Sequence, residues 1–268
     1  FNVKTMPASI DHQIRVFAEN AVDVASAISL RYFRSLEVVE TKPDNTPVTV
    51  ADRRVEQMLR DLIAKHYPDH GICGEEYSTI QSHSPWTWVI DPIDGTKSFA
   101  TGNPTFGCLI ALLHHGIPCL GIIDMPALHE RWIGIEGQTS RFNGNTCKTS
   151  DKTDLAHATL YATTIDMFTQ ANLVAFESVS QLTQFRHFGG DCYAYGLLAS
   201  GYVDLIMEAD MKAHDYLALV PVVEGAGGYI SDWQGHSLRL DSGGTVLASA
   251  NQTLHEKALA IIDATQMQ

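Results

Sequence analysis

The segment Trp88-Val-Ile-Asp91-Pro-Ile-Asp94-Gly95-Thr96-Lys-Ser-Phe99 constrains this chain more than any other. It sends two carboxylates out of an apolar run and stops at a Gly-Thr step suited to opening a helix. Trp88, Val89 and Ile90 read as a short buried strand. Pro92 ends its ladder for want of an N–H, and Gly95 lets the backbone approach a ligand closely. Asp91 and Asp94 then face one cavity. Free N–H groups at the helix start attract an anion, while oxygen ligands on the same loop suit a hard cation such as Mg²⁺ held against it. Taken alone, the same residues also fit a plain turn at Asp94-Gly95 with Asp91 as a cap.

Two distant segments change that balance. Gly74-Glu75-Glu76 lies upstream and Ala213-His214-Asp215 far downstream, each placing a carboxylate at what reads as the end of an element. DPIDGTKSF, GEE, PVTVAD (Pro47 to Asp52) and the His214-Asp215 step together resemble the inositol monophosphatase superfamily of Mg²⁺-dependent, typically lithium-sensitive phosphatases. The matching segments run in family order from Lys42 to Gly228. The resemblance implies a layered αβαβα sandwich, of mixed α+β and α/β character, with the site between its halves. It implies hydrolysis of a small phosphate monoester with about two to three Mg²⁺ ions. Glu75, Asp91 and the Ile93 carbonyl are then ligands of a first ion, and Asp91, Asp94 and Asp215 of a second, with Glu75 reaching a third through water. Thr96 orients the attacking water and Asp52 accepts a hydrogen bond from the Thr96 hydroxyl, while Glu75 joins them in catalysis. The Gly95 and Thr96 N–H groups bind phosphate. On the residues alone, Glu76 serves as a ligand as well as Glu75, and Asp52 is an equally good helix cap; the resemblance favours Glu75 and a functional Asp52.

Substrate choice turns on Phe188-Gly-Gly-Asp191-Cys-Tyr-Ala-Tyr195 and on Glu208. Inositol monophosphatases usually carry G-[ST]-A-A there, with a small residue at the Asp191 position. The acid here is similar to the histidinol-phosphate phosphatase branch, in which Asp191 and Glu208 would contact the amino alcohol and imidazole. A cationic ammonium pairs with carboxylates in a way that inositol hydroxyls do not. Asp191 also suits a cap for the helix opening at Cys192. Inositol monophosphate is the alternative substrate. Lys42, Asp44, Thr46 and Lys97 fit 3′-phosphoadenosine 5′-phosphate as well, but Lys212 is the only cation in Gly189–Lys212 to meet a second phosphate. A metal-binding scaffold without catalysis has no chemical need for Asp52, Glu75, Asp91, Asp94, Thr96 and Asp215 together.

Composition narrows the partners. A formal charge of −13 argues against nucleic acid and anionic membranes, although bound cations can invert the local field for a phosphate substrate. Five cysteines without a C-x-x-C pair indicate reduced thiols and a cytoplasmic compartment, and twelve histidines without H-E-x-x-H spacing give no zinc signature. His214 is expected to shape the pocket. No run has the length of a membrane span and no signal peptide is visible.

The pattern divides the chain into an α+β half (1–150) with most of the ligands and an α/β half (151–268) with the specificity segment and the last ligand, forming one compact unit. Helical spacing covers Ile10 to Phe33 with Ser9 as N-cap, and a second helix starts at Asp52 and ends at Tyr67-Pro68. Strands Trp86–Ile90, Phe106–Leu113, Cys119–Asp124 and Arg131–Ile135 suit an antiparallel meander. Thereafter strands at Thr159–Thr163, Phe185–Phe188, Val203–Glu208 and Val246–Ala250 alternate with helices at Phe168–Leu182, Cys192–Ser200, Tyr216–Gly225 and Leu254–Ala264. Gly225–Gly228 reads as a helix C-cap before strand Tyr229–Ser231. The resemblance implies a homodimer, with apolar strands such as Cys108–Leu113 as a source of interface.

Overall fold

Side chains alternate along Gly107–His114 between two apolar environments, and that alternation sets the layers. Cys108, Ile110 and Leu112 pack with Ala18, Val22, Val55 and Leu59 from two N-terminal helices; Leu109, Ala111 and Leu113 pack with Tyr195, Leu217 and Val222 on the other side. Successive side chains of a strand point to opposite faces, so a strand apolar at every position must be covered twice. The structure is a computed structural model and describes residues 10–35, 40–41, 47–48 and 50–266.

The chain runs through α1 (His12–Tyr32), a small antiparallel ribbon of β1 (Glu40–Thr41) and β2 (Pro47–Val48), α2 (Val50–His66), β3 (Gly71–Gly74), β4 (Trp86–Asp94) and α3 (Thr96–Ala100). A meander follows: β5 (Gly107–His114), β6 (Ile117–Met125), β7 (Glu130–Ile135), β8 (Arg141–Phe142) and β9 (Asn145–Thr146). Strands β3 to β9 form one sheet in sequence order, antiparallel except for the β3–β4 pair. Then come β10 (Thr159–Ala162), α4 (Gln170–Ser180), β11 (Phe185–Phe188), α5 (Cys192–Ala199), β12 (Leu205–Glu208), α6 (Ala213–Tyr216), α7 (Leu219–Gly225), β13 (Tyr229–Ser231), β14 (Val246–Ser249) and α8 (Gln252–Gln266). The second sheet is ordered β11-β10-β12-β14-β13. Helices α1 and α2 cover the outer face of the first sheet, α5 to α7 lie between the sheets, and α4 and α8 cover the outer face of the second. This is the expected αβαβα sandwich.

Several expectations are corrected. The cap of α1 is Asp11, whose carboxylate accepts the Gln13 N–H at 3.2 Å; Ser9 lies outside the described residues, as do Lys42, Asp44 and Thr46. Helix α2 opens at Val50, so Asp52 is in its first turn and does not begin it. Pro92 does not end β4, which continues to Asp94 through an irregularity. The helix expected over Tyr216–Gly225 is two helices, α6 and α7. Pro221 explains the break, since its ring would collide with the Leu217 carbonyl of a continuous helix. Strand β3 was not foreseen. The Cys108–Leu113 strand is interior, hydrogen-bonded on both sides and buried, which leaves it no surface for a dimer contact. Among the described residues no helix is long and apolar enough to cross a membrane, and all five cysteines are free thiols.

Candidate active site

Strand pairing brings the first carboxylates together. In the parallel β3–β4 pair Gly74 stands opposite Ile90, so Glu75 and Asp91 leave neighbouring strands side by side. Asp91 shares the parity of Val89, which faces the central helices. Three residues on, Asp94 would face the opposite layer in a regular strand. Between the pairs Asp91–Leu109 and Asp94–Gly107, however, β4 advances three residues while β5 advances two, and this bulge turns Asp94 back toward the face of Asp91. From the central layer α6 delivers Asp215, whose Oδ2 accepts the Lys212 N–H at 2.6 Å.

Three groups of ligand atoms result, each within 4.8 Å: Asp91, Asp94 and Asp215; Glu75, Asp91 and His214; and Asp52, Glu75 and Glu76. Asp52, Glu75, Asp91, Asp94 and Asp215, the carboxylates expected at the metals and the attacking water, thus fall in linked groups. Both Glu75 and Glu76 take part, and the His214 ring, expected only to shape the pocket, reaches the Glu75–Asp91 group with Nε2 3.3 Å from Asp215 Oδ1. Burial and the charges of Glu75, Asp94, Asp215 and Asp52 push the Asp91 carboxyl well above the usual carboxylate range. Asp94 is raised likewise by burial and by Asp191 and Asp215, and Asp215 by burial, which His214 opposes. Converging buried anions of this kind are costly unless a cation sits among them. The donor set is mainly carboxylate oxygen, which fits Mg²⁺ and suits zinc or copper poorly.

The Ile93 N–H donates to Asp91 Oδ1 at 3.1 Å, and the Ile93 carbonyl accepts the Thr96 hydroxyl at 3.2 Å. A hydroxyl has one proton, so donation from Thr96 to Asp52 requires the Thr96 rotor to turn. Gly95 precedes α3 with φ +78°, and a Cβ there would come 2.9 Å from Asp191 Oδ2. Glycine is demanded on both counts.

A cavity of about 190 Å³ opens beside Asp94 and Asp215, lined also by Asp191, Glu208, Thr163, Tyr195, Met167 and Met211. Asp191 occupies the N-cap position of α5 but its side chain makes no capping bond; it accepts the Ser98 hydroxyl at 3.0 Å, and the Cys192 N–H goes to Asp94 Oδ2 at 2.7 Å. The expectation of Asp191 as a helix cap is therefore corrected: the cap bond comes from Asp94. Burial raises the Asp191 carboxyl, opposed by Ser98 and Lys97. Glu208 accepts the Tyr195 hydroxyl at 2.8 Å, the Thr163 N–H at 3.0 Å and the Thr163 hydroxyl; burial outweighs these donors and pushes its carboxyl up to about 7. Thr163, Tyr195 and Ser98 escaped sequence reasoning. Tyr195 carried a usable signal, lying four residues after Asp191 and hence on the same helix face.

A family model described as the inositol monophosphatase family matches residues 11–267. The chain is 41% identical over 250 residues to the bifunctional phosphatase IMPL2, chloroplastic, of Arabidopsis thaliana, covering 90% of this chain and 72% of that one. It is 37% identical to a histidinol-phosphatase of Chlorobaculum parvum, covering 89% and 92%. The solved structure of an inositol monophosphatase from Zymomonas mobilis superposes with a TM-score of 0.85 at 40% identity, covering 92% and 96%. With the layered fold and the converging carboxylates, these likenesses establish that the chain belongs to the inositol monophosphatase family and is a metal-dependent phosphatase.

Proposed function

We propose that this phosphatase hydrolyses L-histidinol phosphate to L-histidinol and phosphate, using Mg²⁺. The observation that carries the proposal is the presence of Asp191 and Glu208 in one cavity with Asp94 and Asp215. An ammonium and an imidazole in that space meet carboxylates at close range, whereas an inositol ring offers only hydroxyls. The likeness to the Chlorobaculum parvum histidinol-phosphatase supports the same substrate. Inositol 1-phosphate is the second reading, favoured by the likeness to the Zymomonas mobilis protein.

Glu75, Asp91, the Ile93 carbonyl, Asp94 and Asp215 would hold about two to three Mg²⁺ ions. When bound, these neutralise the phosphoryl oxygens, lower the pKa of water and stabilise the leaving alkoxide. Thr96 orients the attacking water in line with the departing oxygen, with Asp52 and Glu75 as proton acceptors. The Gly95 and Thr96 N–H groups bind a phosphoryl oxygen. Asp191 and Glu208 hold the amine and the imidazole. Residues 1–150 and 151–268 act as one unit, because Asp215 and the substrate carboxylates complete a site begun in the first half.

Phosphate release from L-histidinol phosphate, myo-inositol 1-phosphate and 3′-phosphoadenosine 5′-phosphate, measured in parallel with Mg²⁺ and with EDTA, tests this. Histidinol phosphate should be preferred at least about a hundredfold in kcat/KM, or about 2.7 kcal/mol, and EDTA should abolish release. Equal rates on inositol phosphate would make the protein a general small-phosphate phosphatase.

Glu208 adds a pH signature. Its carboxyl rests at about 7 in the folded protein against 4.5 ordinarily, corresponding to about 3 kcal/mol. A carboxyl raised in this way favours the fold below its unfolded pKa, and that contribution is lost as pH rises through about 7. Wild type should therefore lose stability relative to Glu208→Gln between about pH 5 and pH 8. Over the upper part of that window kcat/KM for the cationic ester should rise, as the carboxylate that pairs with it forms. Tyr195→Phe removes a donor to the carboxylate and should move the rise to higher pH; identical profiles in all three proteins would remove Glu208 from substrate binding.

A further inference from the structure

Helix α2 carries a buried polar stripe that continues past Asp52 into residues substrate chemistry does not use. Asp52, Glu56 and Arg60 recur every four residues at 1%, 0% and 6% exposure, a spacing that stacks them along one helix face. Asp52 belongs to the carboxylate group with Glu75 and Glu76. One turn on, Glu56 accepts the Glu76 N–H at 2.6 Å, the Tyr77 N–H at 3.2 Å and Arg60 Nε at 2.7 Å. Arg60 donates in turn to the carbonyls of Tyr77 at 2.8 Å and Ser78 at 3.1 Å.

Two side chains thus hold the main chain of residues 76–78, immediately after Glu75. On the other side of Glu75, Gly74 is held by its pairing with Ile90. The approach is close, since a Cβ on Gly74 would come 2.1 Å from Glu56 Oε1. An ion pair this deeply buried is poorly explained by stability. Removing two charges from water costs several kcal/mol per ion, and apolar residues of similar volume often replace such a pair at no loss. What an apolar pair would lack is the directed donors and acceptors that fix the turn.

We infer that Glu56 and Arg60 position the metal centre, setting the Glu75 carboxylate against Asp91 and against Asp52 on the same helix. The inference rests on Glu75 being a metal ligand. Mg²⁺ tolerates little departure from octahedral geometry, so a small drift of residues 75–78 weakens its binding while the sandwich stays intact.

Calorimetric titration of the full chain with Mg²⁺ tests the inference, comparing wild type, Glu56→Gln, Arg60→Lys, Glu75→Gln and the Glu56→Gln/Glu75→Gln double variant. Glu56→Gln should raise the Mg²⁺ Kd about tenfold or more, with the same rise in the Mg²⁺ concentration that half-saturates phosphate release. Turnover at saturating Mg²⁺ should recover. Arg60→Lys keeps a cation beside Glu56 but loses the fork that reaches both carbonyls, and should raise Kd about threefold; it carries the comparison if Glu56→Gln does not fold. In the Glu75→Gln background the Glu56 substitution should add nothing further. A lower Tm with unchanged Mg²⁺ affinity would overturn the inference, as would a Glu56 effect of equal size with and without Glu75. Unchanged affinity in Glu75→Gln alone would remove the ligand assignment on which the inference stands, whatever the outcome for histidinol phosphate.

Discussion

Asp94→Asn should lower kcat/KM by about a thousandfold or more while the protein remains folded, since on the proposed assignment the variant loses a charged ligand from the site at which reaction charge is stabilised. The asparagine carbonyl still accepts the Cys192 N–H, so the start of α5 keeps its cap. What is lost is one negative charge from a buried group in which burial, Asp191 and Asp215 already raise the Asp94 carboxyl. A carboxyl held high in the fold costs stability as pH climbs from its unfolded toward its folded pKa, so metal-free Asp94→Asn should be at least as stable as wild type at neutral pH. Mg²⁺ should reverse that order. At a concentration a hundredfold above its Kd a ligand stabilises by about 2.7 kcal/mol, and wild type should show this gain in thermal unfolding while the variant does not. Full activity in Asp94→Asn would end the metal assignment.

Asp191→Gly should separate stability from specificity. Asp191 sits at φ 45°, ψ −135°, a conformation that glycine adopts freely and other residues reach only with strain. Relief of that strain, together with removal of a buried carboxyl raised by its surroundings, should make the variant about 1 kcal/mol more stable despite the added chain entropy of glycine. Against a cationic phosphate ester its kcat/KM should fall about a hundredfold, the loss of a charge-assisted contact in a desolvated site, with little change for a neutral ester. Denaturant unfolding and paired kinetics on histidinol phosphate and inositol phosphate read both quantities. Equal losses on the two esters would leave Asp191 no part in choosing substrate.

Some of this architecture is legible in the chain and some is not, for reasons that differ from place to place. The unbroken apolar run in β5 announces a strand covered on both faces, and Phe185–Phe188 is bounded as its β-forming residues suggest. The four residues of β3, two of them glycine, hold too little local preference; their strand exists because β4 offers them a parallel partner. The converging carboxylates are legible because their segments together resemble one family, whereas each alone also fits a turn or a cap. Glu56 and Arg60 are not, because charges on an amphipathic helix usually face water, and only the returning turn at 76–78 buries them. Asp191 looks like a cap by position. Its side chain turns toward Ser98 because Asp94, remote in sequence, already satisfies the helix end.

The irregularity in β4 makes chain length itself a functional variable. Asp91 and Asp94 converge because β4 contains one residue more than its partner over the same distance. A scan that exchanges every side chain would leave that count untouched and find only the two aspartates. Adding one residue to β5 between Gly107 and Leu109 instead would keep every carboxylate, restore an even pleat and send Asp94 to the layer of α1 and α2, away from Asp215. A chain of this kind is freer to change the letters around its site than the count of letters in the two strands that pair beneath it.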